Sequence, residues 1–548
     1  MSRRAAGVAA GLAAWVAGCG GPAPAPPRPA GPLPVPAAVR EKLLDGAVTV
    51  LDRLDQFDEA AAYAQVFDRL TQWSHARVGG ADAGTADHWT ADPLIATLPE
   101  PLRALAGEAD LASSTFDAAG DVTALRDARW LADIARRVRG GVADDDELAA
   151  AVALFRWTTR SLALVSDPPM VPSAAAPGGR WLLPGEILLA GRGSAAQRAW
   201  IFLELLRQAG LDGVMLATGD PASGPTRPWL PALISGGEAY LFEPTYGMPV
   251  PGPGGAGVAT VRQAAADPTV LAALSLPDRA YPVQAGDLAA LTALVAADRW
   301  SLSRRAAALE SELGVAGDWR LTVQPAAVAA RAQAAVPGRA TAGLWTFPWE
   351  TLARRRDRQA TAALVGRELA PFTVAFAETG GSRGTRQGPR VVRPLLAARI
   401  REFRGDIAGP DGAKASYLAA RPSKPVIAAA VAAAPPQQAV ALQQLYAQMK
   451  EDATYWLGVL TLAEGEYEAA VDYLERMTLA AAPDSRWADA ARIHLAEAFL
   501  ALGRREDAVA LLRADTSPQR FGSRLRAAAV AAAGPAAEAA GAKLDSSR

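Results

Sequence analysis

The sequence predicts a mostly helical α+β chain of several domains, and three observations carry that reading. The chain has 548 residues, enough for about three or four ordinary domains. Apolar residues recur at helical spacing along most of it. One tract, Leu182 to Gly257, switches instead to a single helix followed by short apolar runs broken by glycines, the pattern of an α+β layer.

Composition narrows the chemistry. Hydrophobic residues make up 50%, so each domain can bury a core. Lys+Arg (56) and Asp+Glu (57) nearly cancel, which gives no global support for nucleic-acid binding. One Cys and three His cannot build a disulfide framework, a thiolate zinc site or a Cys/His relay. No metal and no cofactor is expected.

The N-terminus has Arg3-Arg4, an apolar stretch from Ala5 to Ala17, and then Val16-Ala17-Gly18-Cys19. A basic start, a short apolar run and small residues describe a secretory signal over 1–19. The last four residues resemble a bacterial lipobox. That resemblance implies acylation of Cys19, a membrane anchor and residence in the cell envelope, at a periplasmic or outer-membrane face. Residues 20–36 are nearly all Gly, Pro and Ala, with Arg28 their only charge. Such a segment favours extended backbone and reads as a tether.

An N-terminal helical region is expected over 37–143. Leu43, Val48, Leu51, Leu54 and Phe57, then Ala61, Val66 and Leu70, mark two antiparallel helices with Asp58 opening the second. Val78 to Ala91 reads as a loop. Leu125, Trp130, Leu131 and Ile134 mark a further helix ending at Gly140-Gly141. Asp144-Asp145-Asp146-Glu147 then precedes Leu148, Ala151, Leu154 and Trp157. Four acidic residues invite a metal reading, but they also suit the dipole at a helix start.

Within 144–275 a helix is expected from Ala195 to Ala209. Strands follow at Val214–Ala217, Trp229–Ile234 and Tyr240–Phe242, with a hairpin turn at Gly236-Gly237. Residues 283–410 form a small α/β region: two helices and a strand (Trp319–Val323) between Asp287 and Val323, then a helix through Ala335 and a strand at Leu344–Phe347. Arg354-Arg355-Arg356 and the Gly380–Arg393 loop read as solvated basic faces. Over 411–524 a pattern recurs. Tyr455, Leu457-Gly458, Gly465, Tyr467, Ala470, Leu474 and Pro483 return in weakened form as Leu495-Ala496, Gly503, Ala508 and Leu512. Gly465 and Gly503 lie 38 residues apart. This resembles the tetratricopeptide repeat, with an earlier, degraded unit at Tyr417-Leu418, and implies a surface for peptides or partner helices. An Ala-rich tail occupies 525–548.

The segment Gly191-Arg192-Gly193-Ser194-Ala195-Ala196-Gln197-Arg198-Ala199, leading into Leu205-Leu206-Arg207-Gln208-Ala209-Gly210-Leu211, resembles the core helix of the transglutaminase-like, papain-like superfamily. There a Gly-rich turn presents a nucleophilic Cys at a helix N-terminus, where the helix dipole favours a thiolate. The resemblance spans about Leu154 to Asp267 and puts Ala195 at the Cys position. A His-x-Trp motif of the family matches Arg227-Pro228-Trp229, and its Asp-Pro matches Glu243-Pro244. The whole arrangement is similar to transglutaminase-like lipoproteins of planctomycete-type bacteria.

All three triad positions have changed, to Ala195, Arg227 and Glu243. Ala has no nucleophile and Arg stays protonated; losing such a pair costs about 10⁶-fold in turnover. The expected function is a catalytically inactive, envelope-anchored scaffold for a protein or peptide partner. Its candidate ligand residues are Arg192, Ser194, Arg198, Arg227, Trp229 and Glu243. Arg227 and Glu243 would form an ion pair in the old cleft, and the Ser194 turn with Arg192 would hold an anion. Ser194 also reads as a plain helix cap. The alternative function is a residual hydrolase or acyl-transferase using Ser194 or Glu243.

Overall fold

The computed structural model describes residues 36–78, 89–166, 180–219, 221–222, 224–317, 319–377 and 391–532. The signal segment with Cys19, residues 20–35 of the tether, most of the Gly380–Arg393 loop and the tail beyond 532 lie outside them. The described chain is mostly helical, 61%. Among the described residues no helix is long and apolar enough to cross a membrane.

The first two helices, α1 (Ala37–Leu51) and α2 (Glu59–Val78), pack on each other. Asp58 opens α2 as expected, its Oδ1 accepting from the Ala61 amide at 3.0 Å. The buried stripe of α1 is Leu44, Ala47, Val50 and Leu51, one position away from the expected Leu43 and Val48. The break at Leu54–Gln56 turns Phe57 outward. Helix α3 (Gly120–Arg139) buries Leu125, Trp130, Leu131 and Ile134, and α4 (Glu147–Ser161) follows. Asp146 caps α4, accepting from the Ala149 amide at 2.8 Å, so the acidic run begins a helix.

Beyond α4, helix α5 (Ala195–Gln208) leads into a six-stranded sheet. Its strands are β1 (Asp212–Thr218), β2 (Arg227–Ser235), β3 (Glu238–Glu243), β4 (Met248–Pro249), β5 (Ala290–Val295) and β6 (Arg339–Leu344). The order is β4-β3-β2-β1-β5-β6, antiparallel except for the parallel pair β5–β6. Gly236 and Gly237, both at positive φ, make the expected β2–β3 turn. The period-two alternation of a strand divides the core. Val214, Leu216, Leu230, Ala232 and Leu241 pack into one apolar cluster, and Met215, Leu233 and Phe242 into the other. On the second face Phe155, Phe202 and Phe242 form a triangle of rings with centroids 4.8 to 5.1 Å apart. The sheet is therefore covered on both sides.

Four expectations change here. The boundary drawn between 275 and 283 does not divide the sheet, because β5 and β6 complete it. The first helix expected after Asp287 is one 3-10 turn followed by β5. Its Leu291-Thr-Ala-Leu-Val run is paired on both sides and buried, so periodicity alone could not tell strand from helix. The strand expected at Trp319–Val323 is absent. The Leu321 and Thr322 amides donate to Glu310 Oε2 at 2.5 and 2.6 Å, so a carboxylate of α6 (Arg304–Gly317) takes the groups a neighbouring strand would need. Helix α7 (Pro325–Ala335) runs through Ala335 as expected. The apolar run Leu344–Phe347 is divided, with β6 ending at Leu344 and a helix, Thr346–Arg355, starting two residues later.

After α8 (Arg358–Thr373) and α9 (Pro394–Arg404), the C-terminal part is helical. It contains α10 (Ala413–Ala419), α11 (Lys424–Ala433), α12 (Pro436–Ala463) and α13 (Tyr467–Val471), which continues as a π-helix over Asp472–Ala480. Then come α14 (Ala488–Ala501), α15 (Arg505–Arg513) and α16 (Arg520–Ala532). The last helix runs past Arg524, so the first part of the expected tail is folded.

Candidate functional site

Local geometry explains how Ala195 is presented. A helix over Pro184–Ala190 stops at Gly191, whose φ of 60° suits glycine. Arg192-Gly193 pairs in parallel with Ala163-Leu164, and Ser194 opens α5. Ser194 and Gln197 form a capping box: the Gln197 amide donates to Ser194 Oγ at 3.3 Å, and the Ser194 amide donates to Gln197 Oε1 at 3.1 Å. Ser194 is buried, and Ala195, the first helical residue, is half-buried. The capping box thus satisfies the Ser194 and Gln197 amides at the helix end. The anion expected between this turn and Arg192 finds the Ser194 and Gln197 amides already engaged.

Arg198 lies one turn into α5 and is buried. Its Nε donates to the Leu162 carbonyl at 2.8 Å, Nη2 to Thr159 O at 3.3 Å, and Nη1 to Pro244 O at 3.0 Å and Gln519 Oε1 at 2.7 Å. These acceptors are neutral. Burial pulls its pKa down to about 9. Arg198 ties α4, the Glu243-Pro244 turn and the C-terminal helices together.

Glu243 ends β3 and is buried. Its Oε1 accepts from the Thr245 amide at 2.8 Å and its Oε2 from the Tyr281 hydroxyl at 2.6 Å. Tyr281 also accepts from Trp229 Nε1 at 3.1 Å. Burial pushes the Glu243 carboxyl above its ordinary range, against those donors. The structure therefore links Trp229 and Glu243 through Tyr281. It does not form the expected Arg227–Glu243 ion pair. Arg227 is exposed at the start of β2, opposite Thr218. The β2–β3 register, in which Ala232 faces Leu241, puts Glu243 level with Leu230, about 10 Å along the strand from Arg227.

The C-terminal helices sit on this region. Gly191 lies against Trp456 of α12, and a Cβ added there would enter the indole ring. Gly247 faces the Gln519 amide, and Gly522 of α16 packs on the Tyr246 carbonyl. Arg160–Glu497 (3.1 Å) and Arg524–Asp278 (2.7 Å) bridge the same seam. Beside Arg198 lies a cavity of about 20 Å³, lined by Thr159, Arg198, His494 and Gln519 among others, with room for roughly one water. His494, distant in sequence, thereby shares a cavity with Arg198. Sequence reasoning missed Tyr281, Gln519 and Trp456, because their roles arise only from contacts between distant segments.

The C-terminal helices repeat in detail. Gly465 and Gly503, at φ 76° and 73°, follow α12 and α14. At each the next amide reaches back five residues, Glu466 to Thr461 O at 2.9 Å and Arg504 to Phe499 O at 2.8 Å. Residues 461–532 match the tetratricopeptide repeat family. This segment is tetratricopeptide-like. No curated protein and no solved structure matches the chain. Tetratricopeptide helices stack into surfaces that hold other proteins, and one helix pair of this segment, α13–α14, carries Arg486 and Trp487 on its connecting loop.

Proposed function

We propose that the chain is a catalytically inactive transglutaminase-like protein that serves as a protein- or peptide-binding scaffold of the cell envelope, anchored through lipidated Cys19. The observation that carries this reading is the seating of the tetratricopeptide helices over the turn that presents Ala195, with Gly191 against Trp456 and Arg198 on Gln519. A catalytic cleft needs open space beside its nucleophile. Here a repeat segment suited to partners closes that region and presents its outer surface instead. Ser194 is engaged as a helix cap and Glu243 by Tyr281 and Thr245, which supports the scaffold over a residual hydrolase or acyl-transferase reaction.

The test is cross-linking of intact envelopes followed by affinity isolation of the full-length chain and mass spectrometry. A defined partner, lost when the repeats are deleted, is expected; recovery of no specific protein would sink the scaffold. Cys19→Ser should move the chain from the membrane to the soluble fraction. An amidase or acyl-transfer activity abolished by Ser194→Ala or Glu243→Gln would instead establish the enzymatic alternative.

A further inference from the structure

We propose that the seam between the first part of the chain and the repeats holds an oxyanion site, built by Arg180, Arg192 and Arg486, that takes a carboxylate or phosphate group of a ligand. Three guanidinium groups converge there on Glu368 of α8. Arg180 Nη1 lies 3.2 Å from Glu368 Oε1, and Arg192 Nη1 and Arg486 Nη1 lie 3.5 and 3.8 Å from Oε2. The second carboxylate, Asp452 of α12, is already engaged by Arg486 at 2.5 and 3.0 Å and by Trp487 Nε1 at 2.7 Å. Three cations against two carboxylates leave a positive charge, before the exposed Arg367, 3.8 Å from Glu368, is counted.

The donors are as telling as the charge. Arg180 has a side chain only 8% exposed, yet its Nε and Nη2 have no hydrogen-bond partner, and neither has Arg192 Nε. Nε and Nη2 form one edge of a guanidinium, two parallel N–H groups whose spacing matches a carboxylate or phosphate. A buried, unused fork is costly to keep, and an incoming oxyanion would satisfy it. Burial, with Arg486 and Arg180 nearby and Glu368 opposing, pulls the Arg192 pKa down to about 10, as expected where cations outnumber their partners.

The site reaches the surface through Arg192 and Arg486, whose side chains are 18% and 16% exposed. Both guanidinium groups lie within 6 Å of the Trp487 ring centre, at 5.9 and 5.2 Å. Arg486 also lines an open groove of about 460 Å³ between α12 and the Ala481–Trp487 loop. Glu451 and Asp484 line that groove, favouring a ligand with a single anionic head over a polyanion.

The test is calorimetric titration of the full-length chain with inorganic phosphate and, separately, with N-acetylglycine as a peptide-like carboxylate, at constant ionic strength against a chloride control. One probe should bind at one site per chain, and the tighter of the two names the source of the anion. Arg192→Gln should weaken binding about tenfold or more, while Glu368→Gln, which adds a net positive charge, should tighten it. Circular dichroism checks that each variant folds, and if Glu368→Gln does not, the partly exposed Arg192 decides. Binding no better than chloride, or Arg192→Gln binding like the parent chain, would overturn the site. A partner screen that fails leaves this result standing, so the two readings fail separately.

Discussion

Replacing Ser194 by Ala removes the oxygen that takes the Gln197 amide, and such a cap loss costs about 1 kcal/mol. Urea unfolding of Ser194→Ala should show that loss, with any background amide hydrolysis unchanged. Two buried glutamates predict opposite acid–base behaviour. Burial raises the Glu243 pKa above its unfolded value, so its contribution is complete below the ordinary carboxylate range and fades as pH rises through the raised pKa. Glu243→Gln should therefore flatten the loss of stability on going from acid to neutral pH. For Glu368, burial alone would raise the pKa, but Arg180, Arg192 and Arg486 hold it below the usual value. Its contribution is present above the ordinary range and is lost as pH falls through the depressed pKa. Glu368→Gln should flatten the acid limb of a stability–pH profile instead. At this scale the sequence was only partly legible. The Ser194 cap could be read from Ser-x-x-Gln alone, since both partners lie within one helical turn. The Arg227–Glu243 pairing could not be judged, because it depended on strand register and on Tyr281, 38 residues from Glu243.

Among the elements, the two repeat glycines give the cleanest test. Each sits at a left-handed position after a long helix, which costs a side-chain-bearing residue about 1 kcal/mol or more. A Cβ at Gly503 would touch nothing, and one at Gly465 only the Tyr467 hydroxyl at 3.8 Å and its Cζ at 3.9 Å. Any loss in Gly465→Ala or Gly503→Ala is thus a backbone effect. The two should be of similar size and should add in the double variant, as read from denaturant midpoints. The helices and the β1–β3 meander were legible because their apolar periods and turn glycines are local. The Trp319–Val323 stretch was not, since its composition suits a strand while its amides are taken by Glu310 from the preceding helix. The β5 run failed for the complementary reason: a strand paired on both edges and buried on both faces loses the alternation that identifies it.

Across the whole molecule, the seam around Gly191 and Trp456 joins the sheet-bearing part to the repeats. Gly191→Ala strains a positive φ and drives a methyl into the indole, so it should lower the melting temperature of both parts together. Calorimetry with limited proteolysis checks this: a repeat fragment surviving intact would show that the seam does not couple them. The mostly helical α+β character and the C-terminal repeats were readable from pattern, but the seam was not, because glycines at 191, 247 and 522 report a close approach only once their neighbours are known. The repeat spacing of 38 residues exceeds the roughly 34 usual for this family, and the surplus falls in a stretch holding the π-helical Asp472–Ala480 turns, with more residues per turn, and the Ala481–Trp487 linker. That linker projects Arg486 and Trp487 toward Glu368 and Arg192. A unit shortened to the common length would still stack on its neighbours, but it would lack the reach to grip the remainder of the protein.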